Sequence, residues 1–238
     1  MTLEAVARGC EQAGLTAIGI SDHLNRPEDA ERNAVLRKEI EKLDTPLAVY
    51  LGAEVGYAFK LGRHPLTAED KQRLGYQYAI GTHHSTYVRE YDLDRIVQLQ
   101  HGYHLVTCAD PVIDVLGHPW RFLYEEFRRT GWPWIDNMKC VPESMTRELA
   151  HAAVESDTAI EINTTSNLCM KFQPESYFEE YVQYLSILAE EGVTFSLGSD
   201  AHELDEFETI KLAWEVVDRL GISDDRIWRP AGEAANTH

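Results

Sequence analysis

Six short apolar runs, separated by segments with helical spacing, constrain the fold of this chain more than any other feature. The runs cover residues 16–21, 46–55, 76–82, 112–117, 158–163 and 193–199. Continuous apolar runs are typical of strands buried on both faces, and their alternation with helices indicates a parallel sheet covered by helices. The pattern therefore predicts an α/β fold, and both an open doubly wound sheet and a barrel satisfy it.

Apolar residues at helical spacing fill the segments between these runs. They predict helices over residues 3–13, 28–43, 93–106, 143–156, 174–191 and 206–220. Pro142 and Pro174 are typical of helix starts, whereas Gly14 and Gly192 are typical of helix ends. The aromatic segment 120–134 shows neither pattern, and we expect a disordered tail over residues 230–238. Because the 238 residues contain no long linker or low-complexity stretch, they predict one domain spanning residues 1–238.

The chain is strongly acidic, with a formal net charge of −18. Binding to nucleic acid or to an anionic membrane needs a basic patch, so we expect neither partner. No stretch approaches the roughly 18 apolar residues of a membrane span, and the first residues show no secretory signal, so we expect a cytoplasmic protein. A small anionic substrate stays compatible with this charge, because bound metal ions can reverse the local field.

Each predicted strand delivers a histidine or an acidic residue at or near its C-terminal end. The strand ends read SDH at 21–23, GAE at 52–54, GTHH at 81–84, GHP at 117–119, EIN at 161–163 and GSDAH at 198–202. The C-terminal ends of the strands of a parallel barrel meet at one rim, where the active sites of such folds lie. This distribution favours the barrel over the open sheet and predicts one shared site.

The residue types at these strand ends predict a site for hard or borderline divalent cations. Neutral imidazole and carboxylate together suit Zn²⁺, Mn²⁺ or Fe²⁺. Thiolates are not part of the pattern, because the four cysteines are scattered, form no Cys-x-x-Cys pair and are expected to be free thiols. Since a carboxylate can bridge two cations, the set can hold more than one metal and can support hydrolysis by metal-activated water.

Taken in order, these motifs resemble those of the polymerase and histidinol phosphatase (PHP) domain family. The resemblance implies a distorted (β/α)7 TIM-like barrel with up to three divalent metal ions and, commonly, phosphoesterase activity. It implies that Glu54 bridges two metals and that His84 and His118 are further ligands of one of these metals. It also implies Asp200 as a ligand of the other bridged metal, and His23 and His202 as ligands of a third.

One departure from the family pattern concerns the start of the chain. The family opens with a strand that carries His-x-His, whereas residues 1–14 here match the helix that follows that strand. We therefore expect either that the barrel's first strand precedes the given sequence or that the natural protein is a reduced module. By the resemblance, only the metal set of Glu54, His84 and His118 is then complete within the chain.

The resemblance favours a metal-dependent phosphoesterase acting on a small phosphorylated molecule, histidinol phosphate included, with Glu54, Asp200 and His202 nearest the chemistry. A non-catalytic module that keeps partial metal binding is the alternative, and hydrolysis of a non-phosphate ester or amide is a third possibility. The oligomeric state is not indicated. Four further residues can orient ligands or bind substrate, or can be ordinary structural or surface groups, namely Arg63, His83, Arg121 and Glu161.

His101 and His104 lie three residues apart and therefore share one face of the predicted helix over residues 93–106. Because the pattern marks no carboxylate partner for them, we expect that face to be solvated.

Overall fold

The strands form one curled, all-parallel sheet. The computed structural model describes residues 1–236 of the chain. Within them, six strands pair in the order of the sequence, so that β1 and β6 lie at the two edges. The strands are β1 (Ala17–Leu24), β2 (Ala48–Gly56), β3 (Tyr78–Thr82), β4 (Val115–Leu116), β5 (Ala159–Asn163) and β6 (Phe195–Gly198). Each one falls inside or overlaps an apolar run, which confirms the predicted α/β class.

The curl of the sheet produces a half-barrel. Near the C-terminal ends of the two edge strands, the ring of His23 lies 6.4 Å from the ring of His202, measured between centroids. No pairing joins β1 to β6 in the part of the chain that the structure describes. The arrangement is consistent with a TIM-like barrel. The seven strand–helix units implied by the resemblance stay a prediction.

Helices cover the outer face of this sheet. They are α1 (Leu3–Gln12), α2 (Pro27–Asn33), α3 (Leu36–Ile40), α4 (Ala68–Leu74), α5 (Leu93–Cys108), α6 (Tyr124–Thr130), α7 (Glu143–Ser156), α8 (Glu175–Glu190) and α9 (Ile210–Leu220). A π-helical turn spans Thr164–Leu168, and 3₁₀ turns span Leu204–Thr209 and Asp224–Arg226. None of the helices among residues 1–236 combines the length and apolar character that crossing a bilayer requires.

Alternation along the strands separates an apolar outer face from an inner face that carries the polar groups. In β2, Val49, Leu51 and Ala53 are fully buried against the helices. Gly52 lies on the inner face, where a Cβ atom would come within 2.1 Å of the Tyr78 ring. The bulky tyrosine therefore fills the inside of the sheet only because its neighbour has no side chain.

Two segments differ from the predicted helices. The helix expected over residues 28–43 is divided into α2 and α3, because the backbone amides of Val35, Arg37 and Lys38 donate to carbonyls three residues back rather than four. The helix expected over residues 206–220 begins with a 3₁₀ turn before α9. The sequence patterns also missed α4 and α6.

The last described residues of the expected tail make hydrogen bonds to the sheet. Ala235 donates a backbone hydrogen bond to the carbonyl of Val49 at 2.7 Å. The Asn236 amide donates to the carbonyl of Leu47 at 2.8 Å. These bonds tie the segment to the start of β2, and residues 237 and 238 lie outside the described part of the chain.

Candidate metal centre

The parallel register brings ligand-type side chains to one end of the sheet. His23 in β1 is paired with Glu54 in β2. His84 lies two residues beyond β3, and His118 lies two residues beyond β4. Because all strands run in the same direction, these four residues meet at the C-terminal rim, as the strand-end pattern predicts.

Glu54 is the centre of the group. Its Oε1 atom lies 3.5 Å from His23 Nδ1 and 3.5 Å from His84 Nε2. His118 Nε2 lies 3.6 Å from the same oxygen. The two imidazole nitrogens of His84 and His118 are 3.3 Å apart. Three imidazoles thus surround one carboxylate oxygen at distances longer than a normal hydrogen bond.

These distances fit a metal ion. Oε1 of Glu54 is buried and has no hydrogen-bond partner among the described residues, although such an atom is costly to leave unsatisfied. Tetrahedral ligand atoms about 2.0–2.2 Å from a cation stand about 3.3–3.6 Å from one another. The separations among Glu54, His84 and His118 fall in this range, and these three residues form a group that could hold a cation.

Electrostatics favour the ligand forms of this group. Burial raises the pKa of Glu54, but the imidazoles of His118 and His23 outweigh it and hold that pKa well below the ordinary value. Burial, reinforced by the neighbouring His118, lowers the pKa of His84 to about 3. At neutral pH the site therefore presents a carboxylate and a neutral His84.

The pKa of His118 shifts in the opposite direction to that of His84. Burial lowers the pKa of His118, but the Glu54 carboxylate outweighs burial and the net pKa is raised. The Glu54 carboxylate also raises the pKa of His23, so the two histidines differ from His84 in the direction of the shift.

Glu161 supports this histidine from inside the sheet. Its Oε2 accepts a hydrogen bond from the backbone amide of His118 at 2.7 Å. His118 has a φ of 25°, which is uncommon for a residue other than glycine. Burial raises the pKa of the Glu161 carboxyl. A Cβ atom at Gly198 would come within 1.8 Å of Glu161 Oε1, so β6 needs glycine here to leave room for the carboxylate.

Asp200 and His202 lie beside the group, outside its most compact part. The Asp200 carboxylate raises the pKa of His118, although burial and Glu54 have larger effects, and it is therefore near the cluster. His202 is exposed, and its Nδ1 lies 2.9 Å from the Asp200 carbonyl oxygen and 3.8 Å from Asp200 Oδ1. Their assignment as metal ligands stays a prediction.

Arg121 and Arg63, both expected as possible phosphate contacts, lie in different surroundings. The charge of Arg121 contributes to the lowered pKa of His84, after burial and His118, so its guanidinium is near the cluster. Its buried Nε has no partner among the described residues. Arg63 instead donates to the carbonyl of His64 at 3.0 Å, and its charge acts on Asp110.

His83 lies apart from its neighbour His84. Its Nε2 is 2.6 Å from the Thr107 hydroxyl of α5, and its Nδ1 is 3.3 Å from the Tyr87 hydroxyl. It is therefore not among the residues that surround Glu54.

The expected solvated face of α5 is wrong. His101 and His104 are buried, with His101 Nε2 2.9 Å from the Glu148 carboxylate and His104 packed edge-on against Trp120. α7 and the loop after β4 cover this face, and the pattern of α5 alone could not indicate either.

The π-helical turn after β5 contributes a residue that the motifs did not single out. Ser166 Oγ donates to Asp200 Oδ2 at 2.5 Å. The signal in the sequence is the run of hydroxyl and amide residues at 164–167, directly after a strand end. A run of this kind is also typical of ordinary turns, so it did not identify the contact.

Comparison with known proteins supports the family resemblance. The sequence model of the PHP domain matches residues 1–165, which contain Glu54, His84 and His118. No curated protein matches the chain.

Solved structures resemble the chain only remotely. A chain of archaeal ribonuclease P with mature tRNA has a TM-score of 0.43 at 12% identity, covering 98% of this chain and 94% of that one. The Yersinia pestis dihydropteroate synthase in complex with a sulfonamide drug has a TM-score of 0.42 at 14% identity, covering 91% and 85%. Scores this low support no conclusion about function.

Proposed function

This chain belongs to the PHP domain family, and from that membership we propose that it is a metal-dependent phosphoesterase that hydrolyses small phosphomonoesters, in the manner of a histidinol phosphatase. The observation that carries the proposal is the buried, unpartnered Oε1 of Glu54 with three imidazole nitrogens 3.5–3.6 Å away. Zn²⁺, Mn²⁺ and Fe²⁺ all suit this set of ligands.

The residues of the cluster have different proposed roles. Glu54, His84 and His118 would hold one cation, and Asp200, His202 and His23 are proposed to hold up to two more. When bound, such cations lower the pKa of water and neutralise charge on phosphoryl oxygens. Glu161 fixes the backbone of His118 through the hydrogen bond to its amide.

Arg121 is the proposed phosphate contact. Its guanidinium, near His84, offers donors to an anionic oxygen of the substrate. Guanidinium groups pair well with phosphate, since the planar fork matches its oxygens. The proposed substrate is accordingly a small phosphorylated molecule, bound without nucleic acid or membrane, and we place the reaction in the cytoplasm.

A second candidate is a binding module that keeps one metal without turnover. It is favoured by one observation, since among the described residues a single compact group of possible ligands meets the distances for a cation. A third candidate, hydrolysis of an amide or lactone by the same centre, would use the same cluster.

The test measures phosphate release by the purified chain after chelation and after addition of Zn²⁺, Mn²⁺ or Fe²⁺. Histidinol phosphate and p-nitrophenyl phosphate are the probes. We expect turnover only with metal, and its loss in Glu54→Gln. The matched control is Glu148→Gln, a carboxylate outside the cluster whose side chain is 63% exposed.

Three other results would reject the phosphoesterase proposal in different ways. Metal binding without hydrolysis of any probe would favour the binding module. Turnover of an amide or lactone, with none of the phosphomonoesters, would favour the third candidate. A wild-type chain that neither binds metal nor turns over would contradict all three.

A further inference from the structure

The π-helical turn at Thr164–Leu168 follows β5 in the chain and contacts Asp200, which lies just beyond β6. π-helical segments are rare and are found frequently at functional sites. The turn is anchored to β5, because Asn163 Oδ1 accepts a hydrogen bond from the backbone amide of Ser166 at 2.9 Å. Asn163 and Ser166 are both buried. The Ser166 hydroxyl is therefore held in a fixed position relative to the sheet.

This hydroxyl engages one of the two Asp200 carboxylate oxygens. Ser166 Oγ donates to Oδ2 at 2.5 Å, and hydroxyl–carboxylate bonds of this kind are among the stronger hydrogen bonds in proteins. The other oxygen, Oδ1, lies 3.8 Å from His202 Nδ1, which is longer than a hydrogen bond. One oxygen is thus held by the turn, and the other remains able to take a further ligand.

The same turn also holds the backbone around Asp200. The Thr165 hydroxyl donates to the carbonyl of Ser199 at 2.7 Å and lies 3.3 Å from the carbonyl of Asp200. Asp200 has a φ of 49°, in the left-handed region that a residue other than glycine seldom adopts. Such a conformation persists only where the surroundings fix it, and Thr165 and Ser166 supply contacts that do so.

We propose that Ser166 is a positioning residue, which fixes the Asp200 carboxylate so that Oδ1 is presented to a cation at the Glu54 cluster. Asp200 lies on the side of the cluster, because His202, whose Nδ1 is 2.9 Å from the Asp200 carbonyl oxygen, has its ring 6.4 Å from that of His23. His23 Nδ1 in turn lies 3.5 Å from Glu54 Oε1. The inference rests on the proposed function, because it takes Asp200 as a metal ligand. It adds a residue and a structural device that lie outside the strand-end motifs.

The experiment measures Co²⁺ and Zn²⁺ affinity of the full chain by competition with a chelator, and the absorption spectrum of bound Co²⁺. Ser166→Ala is expected to weaken binding about 10- to 100-fold, as loss of a hydrogen bond to a ligand typically does. In the Asp200→Asn background, Ser166→Ala is expected to cause no further loss. Ser186→Ala is the control, because among the described residues its hydroxyl bonds the Gln183 carbonyl within α8.

A pair of variants of matched shape separates the hydroxyl from packing. Ser166→Thr keeps the hydroxyl donor. Ser166→Val has nearly the same shape as the threonine variant but lacks the hydroxyl. The proposal predicts affinity close to that of the wild type for the threonine variant and a loss for the valine variant, with circular dichroism showing that both are folded.

The proposal is overturned if Ser166→Ala and Ser166→Val bind metal as the wild type does. It is also overturned if Ser166→Ala weakens binding equally with and without the Asp200→Asn change, since Ser166 would then act by another route. A wild-type chain that binds no cation would contradict the proposed function itself, and this inference with it.

Discussion

The carboxylate of Glu161 accepts a hydrogen bond from the backbone amide of His118 at 2.7 Å, and the Nε2 atom of the same histidine lies 3.6 Å from Glu54 Oε1. Both residues are buried. The bond links β5 to the loop after β4 and holds His118 at its unusual φ of 25°. The position of one candidate ligand therefore depends on a carboxylate that bonds its backbone amide.

Replacing Glu161 tests this dependence. Glu161→Leu would leave the His118 amide without its acceptor, which should lower the free energy of unfolding by about 1–3 kcal/mol. Glu161→Gln keeps a carbonyl acceptor of similar shape and should lose less. Urea unfolding of the metal-free proteins measures both. An unchanged midpoint for Glu161→Leu would show that the bond contributes nothing to holding the loop.

Metal affinity should depend on pH through His118. Because Glu54 raises the pKa of His118 despite burial, the metal-free site keeps a proton there up to pH values above the ordinary histidine pKa of about 6.5. A cation must displace that proton, so affinity should fall as the pH drops through this raised pKa. His84, with a pKa of about 3, stays neutral throughout and should not contribute.

Calorimetry in buffers of different ionisation enthalpy measures this proton directly. At about pH 6 we expect about one proton released for each cation bound. In His118→Gln the release should fall along with most of the affinity, and any remainder would come from His23, whose pKa Glu54 also raises. Binding that is independent of pH between about 5 and 8 would contradict the assignment of the proton to His118.

The two arginines should differ in their effect on substrate binding. Arg121→Met removes a donor near His84 and should raise the KM for a phosphomonoester about 10- to 100-fold, which corresponds to losing a charge-assisted hydrogen bond of about 1.5–3 kcal/mol. Arg63→Met should leave the KM unchanged, because Arg63 contacts the His64 carbonyl and interacts with Asp110. Steady-state kinetics distinguish the variants, and equal KM values would remove Arg121 from the substrate site.

Much of the fold could be predicted from the sequence, because buried parallel strands appear as continuous apolar runs. The same patterns could not show that the helix over residues 28–43 is divided. That division lies in a local change to hydrogen bonds three residues apart around Val35, within a stretch whose apolar spacing stays helical. The helix α6 lies in an aromatic segment, 120–134, whose spacing indicated neither helix nor strand.

The convergence of Glu54, His84 and His118 could also be predicted, since parallel strands place their C-terminal ends together. The contact between Ser166 and Asp200 could not, because it joins residues 34 positions apart through a turn whose shape the sequence does not show. His101 and His104 lie four and seven residues after the buried Val97 of α5, so helical spacing could have placed them on the buried face. The expectation of a solvated face followed instead from the lack of a marked carboxylate partner.

The adjacent residues His83 and His84 give the most direct test of the metal centre. The measurement is the Zn²⁺ dissociation constant, by chelator competition, for His84→Gln and for its matched control His83→Gln. We predict that His84→Gln loses at least about 100-fold in affinity, whereas His83→Gln stays within about threefold of the wild type. Equal affinity in the two variants, or binding by His84→Gln at the wild-type level, would contradict the assignment of a metal to Glu54, His84 and His118.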